Sequence, residues 1–273
     1  MKPVAFDYER PHDVAGALKL LAGGDGTAKI LAGGQSLGPM LNLRLAQPRL
    51  VIDIRGLREL SEGTAANGSL VLGSCITHAA IEDGRVPDVT RGFMREIAAH
   101  IAYRAVRNRG TIGGSLCHAD PAADWVSALT LLSAVALVEG PAGRREVEVE
   151  QFVTGAFSTA LADDEILIGL RIPELSARAR WGHYKFCRKP GEFAEAIGGV
   201  LVDADRNVFR AVIGATSSAP HVIENAHFVS DRFDSEQVFA EIDAAGLGNE
   251  PYERQLHHTA LKRAAMRLAA TDV

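Results

Sequence analysis

The chain has 273 residues, of which 47% are hydrophobic and 23% charged, as is usual for a soluble globular protein. Its net charge of −5 lacks the basic excess of nucleic-acid-binding proteins, so no nucleic-acid partner is predicted. The longest apolar run, residues 126–138, is too short to span a bilayer, and the first residues contain no hydrophobic signal segment. We therefore expect a cytoplasmic protein without a membrane span.

The first 55 residues are predicted to form a small α/β unit. Apolar residues at helical spacing predict a helix over residues 11–21, and apolar runs predict buried strands at 29–32 and 50–54. The first strand leads into the turn Ala32-Gly33-Gly34-Gln35-Ser36. A short helix is expected directly after this turn, over residues 37–43.

A second unit is predicted over residues 56–174. Its expected strands cover residues 70–73, 135–139, 145–149 and 165–172, and its expected helices cover 77–83, 90–100 and 121–132. Asp120 is the predicted N-cap of the last helix, because Pro121 suits a first helical turn. A second glycine turn, residues 110–115, lies between these helices.

The composition changes after Pro173. The polar residues 175–180 predict a linker. Three strands are then predicted, over residues 184–187, 196–203 and 208–215, followed by helices over 237–244 and 252–270. A sheet followed by helices is typical of an α+β domain, here residues 178–273.

The two glycine turns are the strongest candidates for a binding site. Adjacent glycines let a backbone bend tightly and present its N–H groups to an anion. In the first turn, Ser36 would also stand at a helix N-terminus, where phosphate binds readily. The first turn has neither the Gly-x-Gly-x-x-Gly spacing nor the Walker spacing. Each could be a purely structural turn, but two of them suggest two walls around one diphosphate.

Other residues allow a functional and a structural interpretation. Asp124 could accept hydrogen bonds from ribose hydroxyls or adenine, or complement a helix dipole. Arg104, Arg107 and Arg109 form a basic cluster that we interpret as a solvated face rather than a docking site.

No metal site is predicted in this chain. Cys75, Cys117 and Cys187 form no Cys-x-x-Cys pair, and they are interpreted as structural thiols. His257 and His258 are neighbours in a predicted helix and should point in different directions.

The motifs together resemble the FAD-binding medium subunit of molybdenum hydroxylases, a family that includes carbon monoxide dehydrogenase medium subunits and the xanthine dehydrogenase flavin domain. The resemblance covers essentially the whole chain. The motifs are Ala-Gly-Gly-Gln-Ser-Leu from residue 32, Thr-Ile-Gly-Gly-Ser from 111, His-Ala-Asp-Pro-Ala-Ala-Asp from 118, Asp-Glu-Ile-Leu from 164 and Tyr-x-Phe-x-Arg-Lys-Pro-Gly-Glu-Phe-Ala from 184.

This resemblance implies an α+β fold. Residues 1–55 and 56–174 would be two parts of an FAD-binding domain of the vanillyl-alcohol-oxidase/PCMH type. Residues 178–273 would be a C-terminal domain with a three-stranded sheet and helices.

The resemblance also implies the cofactor contacts. One wall of the pyrophosphate site would be Lys29, Ile30, Leu31, Ala32, Gly33, Gly34, Gln35 and Ser36. The other wall would be Gly110, Thr111, Ile112, Gly113, Gly114 and Ser115. Ile101 would pack at the adenine end, Asp124 would bind the ribose or adenine portion, Leu167 would use its backbone, and Lys185 would lie beside the isoalloxazine.

The implied function is electron transfer within a larger enzyme. A large subunit would carry the molybdopterin cofactor and a small subunit two iron–sulfur clusters, in a dimer of heterotrimers. Electrons would pass through FAD to an external acceptor, and this chain would need no catalytic residue of its own. The alternatives are a stand-alone FAD-dependent oxidoreductase of the same fold and a non-catalytic assembly subunit.

Overall fold

The computed structural model describes residues 2–270, in which the strands form three larger sheets and one short hairpin. The three sheets follow one another along the chain, within the three ranges predicted as domains. The domain boundaries themselves stay a prediction.

The first sheet is parallel, with strand order β1-β3-β2 in the described residues. Its strands are β1 (Asp7–Glu9), β2 (Ala28–Leu31) and β3 (Leu50–Asp53). The helices of this unit are α1 (Val14–Ala22) and α2 (Leu37–Asn42). Asp13 caps α1 by accepting a hydrogen bond from the Gly16 N–H at 2.7 Å. The predicted strand, turn and helix around Gly33 are therefore present, with the turn at the carboxyl end of β2.

The second sheet is antiparallel and has the order β4-β5-β10-β6-β7 in the described chain. The strands of this unit are β4 (Gly63–Ala66), β5 (Ser69–Gly73), β6 (Val135–Gly140), β7 (Gly143–Glu148), the hairpin β8 (Val153–Gly155) and β9 (Ser158–Thr159), and β10 (Ile166–Pro173). Its helices are α3 (His78–Glu82), α4 (Phe93–Ala99), α5 (Arg104–Arg107), α6 (Ile112–His118), α7 (Asp124–Leu131) and α8 (Val149–Phe152).

Helix α7 begins three residues later than predicted. Asp120 does not cap it: the Asp120 Oδ1 accepts a hydrogen bond from the Ala122 N–H at 2.9 Å and forms a local turn instead. Asp124 is consequently the first residue of α7 rather than a residue one turn inside it. Every residue of α7 is buried.

The third sheet is antiparallel and contains four strands in the described residues, in the order β11-β12-β13-β14. They are β11 (Arg180–Phe186), β12 (Ala196–Asp203), β13 (Val208–Gly214) and β14 (His221–Glu224). The helices that follow are α9 (His227–Ser230), α10 (Ser235–Ala244) and α11 (Pro251–Ala270). The prediction of three strands was wrong because β14 is short and its sequence, His-Val-Ile-Glu, has polar ends.

The second and third units share one core. Leu201 of β12 and Val212 of β13 belong to the same buried cluster as Trp125 and Leu129 of α7. Helix α7 lies close to the backbone of β13, since a Cβ added to Gly214 would overlap the Ser127 hydroxyl. Helix α7 is thus packed between the helices of the second unit and the third sheet.

The segment 175–180 is packed rather than a free linker, contrary to the prediction. The Leu175 N–H donates to the Val89 carbonyl at 2.9 Å, and the Ser176 N–H donates to the buried Asp203 carboxylate at 2.9 Å. Leu175 and Ala179 are both buried. Within residues 2–270, no helix is both long and apolar enough to cross a bilayer.

Candidate cofactor-binding site

The two glycine turns lie against each other. A Cβ added to Gly33 would overlap the Arg109 carbonyl oxygen and lie 2.7 Å from the Gly110 Cα. A Cβ added to Gly114 would lie 3.5 Å from the Ala32 Cβ. Glycine is therefore required at Gly33 for the two backbones to meet. Segments that are eighty residues apart in sequence form one continuous surface.

The first turn carries unpaired N–H groups. It follows β2, passes through the left-handed residue Gly34 (φ +73°), and enters α2 at Ser36. The Ser36 side chain makes no capping hydrogen bond. Within residues 2–270, no hydrogen bond joins a carbonyl or side chain to the backbone N–H groups of Gly33, Gly34, Gln35 and Ser36. This turn has the donors that an anionic ligand needs.

The N–H groups of residues 112–115 in the second turn are already satisfied inside the protein. Residues 112 and 113 donate to the carbonyls of Ile76 and Ser74, both at 3.0 Å. Residues 114 and 115 donate to the side chain and the carbonyl of Thr111, again at 3.0 Å. The expectation that both turns present their N–H groups is therefore wrong for residues 112–115. What this turn offers a ligand is a closely packed surface and the half-buried Ser115.

The strand that carries Leu167 is connected to the second turn through Ser74. The Ser74 N–H donates to the Ile168 carbonyl at 3.1 Å, and a Cβ added to Gly113 would lie 2.7 Å from the Ser74 carbonyl oxygen. The register of β10 shifts between Leu167 and Gly169, which marks an irregularity at this point. The Leu167 side chain is buried in the core, so its backbone is the part that a ligand could contact.

Asp124 and Lys185 form a buried salt bridge. The Lys185 Nζ lies 2.8 Å from the Asp124 Oδ2, and the side chains are 8% and 5% exposed. Burial raises the pKa of the Asp124 carboxyl, and the Lys185 ammonium opposes that rise. The Asp124 Oδ1 has no hydrogen-bond partner among the described residues. The pair thus presents one free acceptor oxygen beside a cation.

This contact joins two residues for which different roles were implied. The resemblance assigned Asp124 to the ribose or adenine portion of FAD and Lys185 to the isoalloxazine. In the structure the two side chains are joined at 2.8 Å. They also join α7 of the second unit to β11 of the third.

The remaining predicted contacts precede the two turns in sequence. Lys29, Ile30 and Leu31 lie in β2, with Lys29 exposed and the other two half-buried. Ile101 follows α4, packs partly against the main core, and its carbonyl accepts a hydrogen bond from the Arg107 Nη1 at 3.0 Å.

The arginine cluster is not a uniformly solvated face. The Arg107 Nε lies 2.8 Å from the Glu82 carboxylate, with the Arg107 side chain 12% exposed, and Arg104 pairs with Glu82 and Asp83. The Arg107 hydrogen bond holds the pKa of the Glu82 carboxyl below its ordinary value, although partial burial opposes this. Arg109 is exposed, and it is its backbone carbonyl that meets Gly33. The prediction was wrong for Arg107 because its partner lies on a helix distant in sequence.

Two residues near the site had no sequence signal. Both His78 and Trp125 are buried; His78 lies against Gly110 of the second turn, and the Trp125 Nε1 donates to the His78 Nδ1 at 3.0 Å. Isolated histidine and tryptophan residues carry no motif, so only the fold brings them to notice. No group of three or more His, Cys, Asp or Glu side chains in the described chain could hold a metal ion.

Comparison with known proteins shows to which family the chain is similar. Residues 4–175 match the model of the FAD binding domain in molybdopterin dehydrogenase. Caffeine dehydrogenase subunit beta of Pseudomonas sp. strain CBB1 is 37% identical over 219 residues, which are 80% of this chain and 74% of that protein. The carbon monoxide dehydrogenase medium chain of Hydrogenophaga pseudoflava is 35% identical over 93% of this chain and 90% of its own length.

Solved structures agree with these sequence matches. A carbon monoxide dehydrogenase from Hydrogenophaga pseudoflava that lacks the Mo-pyranopterin moiety superposes with a TM-score of 0.88 at 30% identity, covering 99% of both chains. Quinoline 2-oxidoreductase from Pseudomonas putida 86 superposes with a TM-score of 0.85 at 28% identity, again covering 99% of both chains.

The chain belongs to the family of FAD-binding domains of molybdopterin dehydrogenases. It is accordingly an oxidoreductase component with FAD as its cofactor and an α+β FAD-binding fold, as predicted. Its relatives are subunits of multi-subunit complexes.

Proposed function

We propose that this chain is the FAD-carrying electron-transfer subunit of a heterotrimeric molybdenum hydroxylase in the cytoplasm. It would receive electrons from iron–sulfur clusters of a small partner subunit and deliver them to an external acceptor. A large partner would hold the molybdopterin cofactor and oxidise the substrate, with two heterotrimers forming a dimer. The similarity to carbon monoxide dehydrogenase medium chain over nearly its full length supports this assembly.

The observation that carries the proposal is the set of unpaired N–H groups in the first turn. Four consecutive backbone donors, from Gly33 to Ser36, lie in the first turn, which packs against the second turn at Gly33. A pyrophosphate placed there would receive hydrogen bonds mainly from the first turn. The second turn would limit the cleft and offer the Ser115 hydroxyl. Residues 29–31 and 110–115 would complete the two walls.

The Asp124–Lys185 pair fits the flavin half of the same cofactor. FAD, when bound, accepts electrons from a donor and releases them to an acceptor, and its reduction places negative charge on the ring. The buried Lys185 ammonium would stabilise that charge. The free Asp124 Oδ1 would accept a hydrogen bond from a cofactor hydroxyl, which would satisfy a buried polar atom. Leu167 would contribute backbone contacts and Ile101 an apolar contact.

We test the pyrophosphate site by replacing Ser36. In Ser36→Asp, the new carboxylate would complement the N-terminus of α2 and preserve folding, while repelling a diphosphate from the free N–H groups. We expect FAD affinity to fall at least about a hundredfold, roughly 2.7 kcal/mol, with no loss of melting temperature. The measurement is FAD titration of the flavin-free full-length chain by fluorescence, alongside thermal unfolding.

Ser36→Asn is the matched control, since it has the shape of aspartate and caps a helix as well, but carries no charge. It should retain FAD binding within about threefold. Equal affinities of the Asp and Asn variants would contradict the placement of the pyrophosphate at the first turn.

The electron-transfer role needs a separate experiment. The FAD-loaded chain should remain oxidised with organic substrates of the complex, and become reduced only when both partner subunits are added. The measurement is the flavin absorbance under anaerobic conditions. Reduction of the isolated chain by an organic substrate would favour a stand-alone oxidoreductase. Absence of bound flavin in the purified chain would favour an assembly role.

A further inference from the structure

His78 lies directly beneath the second glycine turn. It is the first residue of α3 and is buried. Its backbone N–H donates to the Gly110 carbonyl at 2.9 Å. A Cβ added to Gly110 would lie 2.8 Å from the His78 Nε2 and 2.9 Å from its Cδ2. The imidazole ring therefore occupies the space that a side chain on Gly110 would take, and it supports the turn from below.

Trp125 fixes the orientation of this ring. The indole Nε1–H donates to the His78 Nδ1 at 3.0 Å, and an indole nitrogen can only donate. The His78 Nδ1 must consequently be the acceptor, which leaves the ring proton on Nε2. Burial, with a contribution from the Arg107 charge, lowers the pKa of His78 to about 4, so the ring is neutral near pH 7.

The same two side chains connect both parts of the candidate site. Trp125 follows Asp124 at the beginning of α7, and it is completely buried. On the other side of His78, Gly110 contacts Gly33 of the first turn. His78 therefore lies between the helix that carries the Asp124–Lys185 pair and the point where the two turns touch.

We propose that His78 is a positioning residue for the FAD cleft. Trp125 holds the His78 ring, and the ring keeps Gly110 in the position in which the second turn contacts the first. The ring also keeps the second turn at a fixed position relative to Asp124. The inference rests on the FAD site proposed above, and it assigns to His78 no contact with the reacting atoms.

Two substitutions separate the functions of the ring. His78→Asn keeps an acceptor near the Nδ1 position but removes the part of the ring under Gly110. His78→Phe keeps the ring but removes the acceptor for the Trp125 N–H. We expect FAD affinity of the full-length chain to fall at least about tenfold in His78→Asn, and by less in His78→Phe. The measurement is fluorescence titration with FAD under conditions where each variant is fully folded.

Val238→Ala is the control for general destabilisation. Val238 is fully buried in α10, in a different core cluster, so its truncation should lower the melting temperature without changing FAD affinity. An FAD affinity in His78→Asn equal to that of the Val238 variant would overturn the positioning role. If Ser36→Asp still weakened FAD binding in that case, the proposed FAD site itself would stand.

A spectroscopic measurement tests the hydrogen bond between Trp125 and His78. The chain has two tryptophans, and the Trp181 indole donates to the Arg91 carbonyl at 3.1 Å. The Trp125 indole N–H resonance should be constant from about pH 6 to about pH 8 and should move in His78→Phe, while that of Trp181 stays in place. A Trp125 resonance that does not respond to His78→Phe would overturn the assignment of Nδ1 as its acceptor.

Discussion

The salt bridge between Asp124 and Lys185 is almost sealed from water, and this determines its energetics. Removing one partner from a buried pair leaves an uncompensated charge in a medium of low dielectric constant. Removing both partners takes away the two desolvation costs together. The pair therefore contributes less to net stability than its short distance suggests, while it fixes a charge and a free acceptor at a defined place.

Replacement of Lys185 by methionine should show that losing one partner costs more stability than losing both. We expect Lys185→Met to lower the free energy of unfolding by about 3 kcal/mol, and the double variant with Asp124→Asn to recover most of that loss. The measurement is urea unfolding of the four members of a double-mutant cycle. Lys189→Met, which alters an exposed lysine nearby, should change stability by less than about 0.5 kcal/mol.

The same variants test the proximity of the pair to the flavin. In FAD-loaded protein, Lys185→Met should lower the reduction potential, because Asp124 would then act on the reduced ring without a compensating cation. Asp124→Asn should raise the reduction potential, because the Lys185 cation would then act on the reduced ring without a compensating carboxylate. Spectroelectrochemical titration measures both, and unchanged potentials would remove the pair from the flavin's surroundings.

Helix α11 shows how an element can bury two consecutive histidines. On one side, a Cβ added to Gly198 would lie 2.6 Å from the Ala260 backbone, so the helix lies directly on the sheet. On another side, His258 stacks on Phe239 with ring centroids 4.3 Å apart. His257 is 0% exposed, and neither of its ring nitrogens has a hydrogen-bond partner among the described residues. Both rings are therefore held in an environment that disfavours their charged form.

This burial predicts an acid-sensitive element. Burial lowers the pKa of His257 from 6.5 to about 4, and that of His258 shifts in the same direction. Because the folded-state pKa is depressed, the contribution to stability is complete above about pH 6.5 and is lost as the pH falls towards 4. The loss attributable to His257 approaches about 3 kcal/mol at the acid end. Urea unfolding across this pH range measures it.

His257→Leu should make the pH dependence over that window shallower, because one of the buried histidines that resist protonation is gone. His12→Gln serves as the control, since His12 is exposed in the first unit. A pH profile of the His257→Leu variant identical to that of the unsubstituted chain would contradict this origin of acid sensitivity.

At the scale of the molecule, the second and third units are joined by a shared core and by a charged clamp. Arg210 of β13 lies 2.5 Å from the Glu150 carboxylate on α8, and it also pairs with Glu224 of β14. The Arg210 side chain is only 9% exposed, although both carboxylates reach solvent. A single cation thus links an element of the second unit to the third sheet, on which Lys185 is carried.

Loss of this clamp should loosen the connection between the two units. We expect Arg210→Met to lower the free energy of unfolding by about 2 kcal/mol, because two charge-assisted hydrogen bonds are removed from a mostly buried donor. Arg178→Met is the matched control: Arg178 pairs with Asp205 but is 79% exposed, so its loss should lower the free energy of unfolding much less than the loss of Arg210. Equal effects of the two substitutions in urea unfolding would contradict a clamping role.

Local chemistry made part of this molecule predictable from its sequence. Adjacent glycines beside a strand predicted the first turn, and apolar periodicity predicted the strands that lead into it. Prediction failed where the partners are distant in sequence. The fourth strand exists because β13 pairs with it, and Arg107 is shielded because α3 supplies Glu82.

The sequence by itself determined the family and the two glycine turns and suggested residues for the candidate site, because each depends on short-range patterns of residue type. The tertiary structure alone decided which turn keeps its N–H groups free. It also decided that Asp124 and Lys185 form one pair and that His78 supports Gly110. The physical reason is that hydrogen-bond satisfaction and burial depend on neighbours that folding brings together from distant positions.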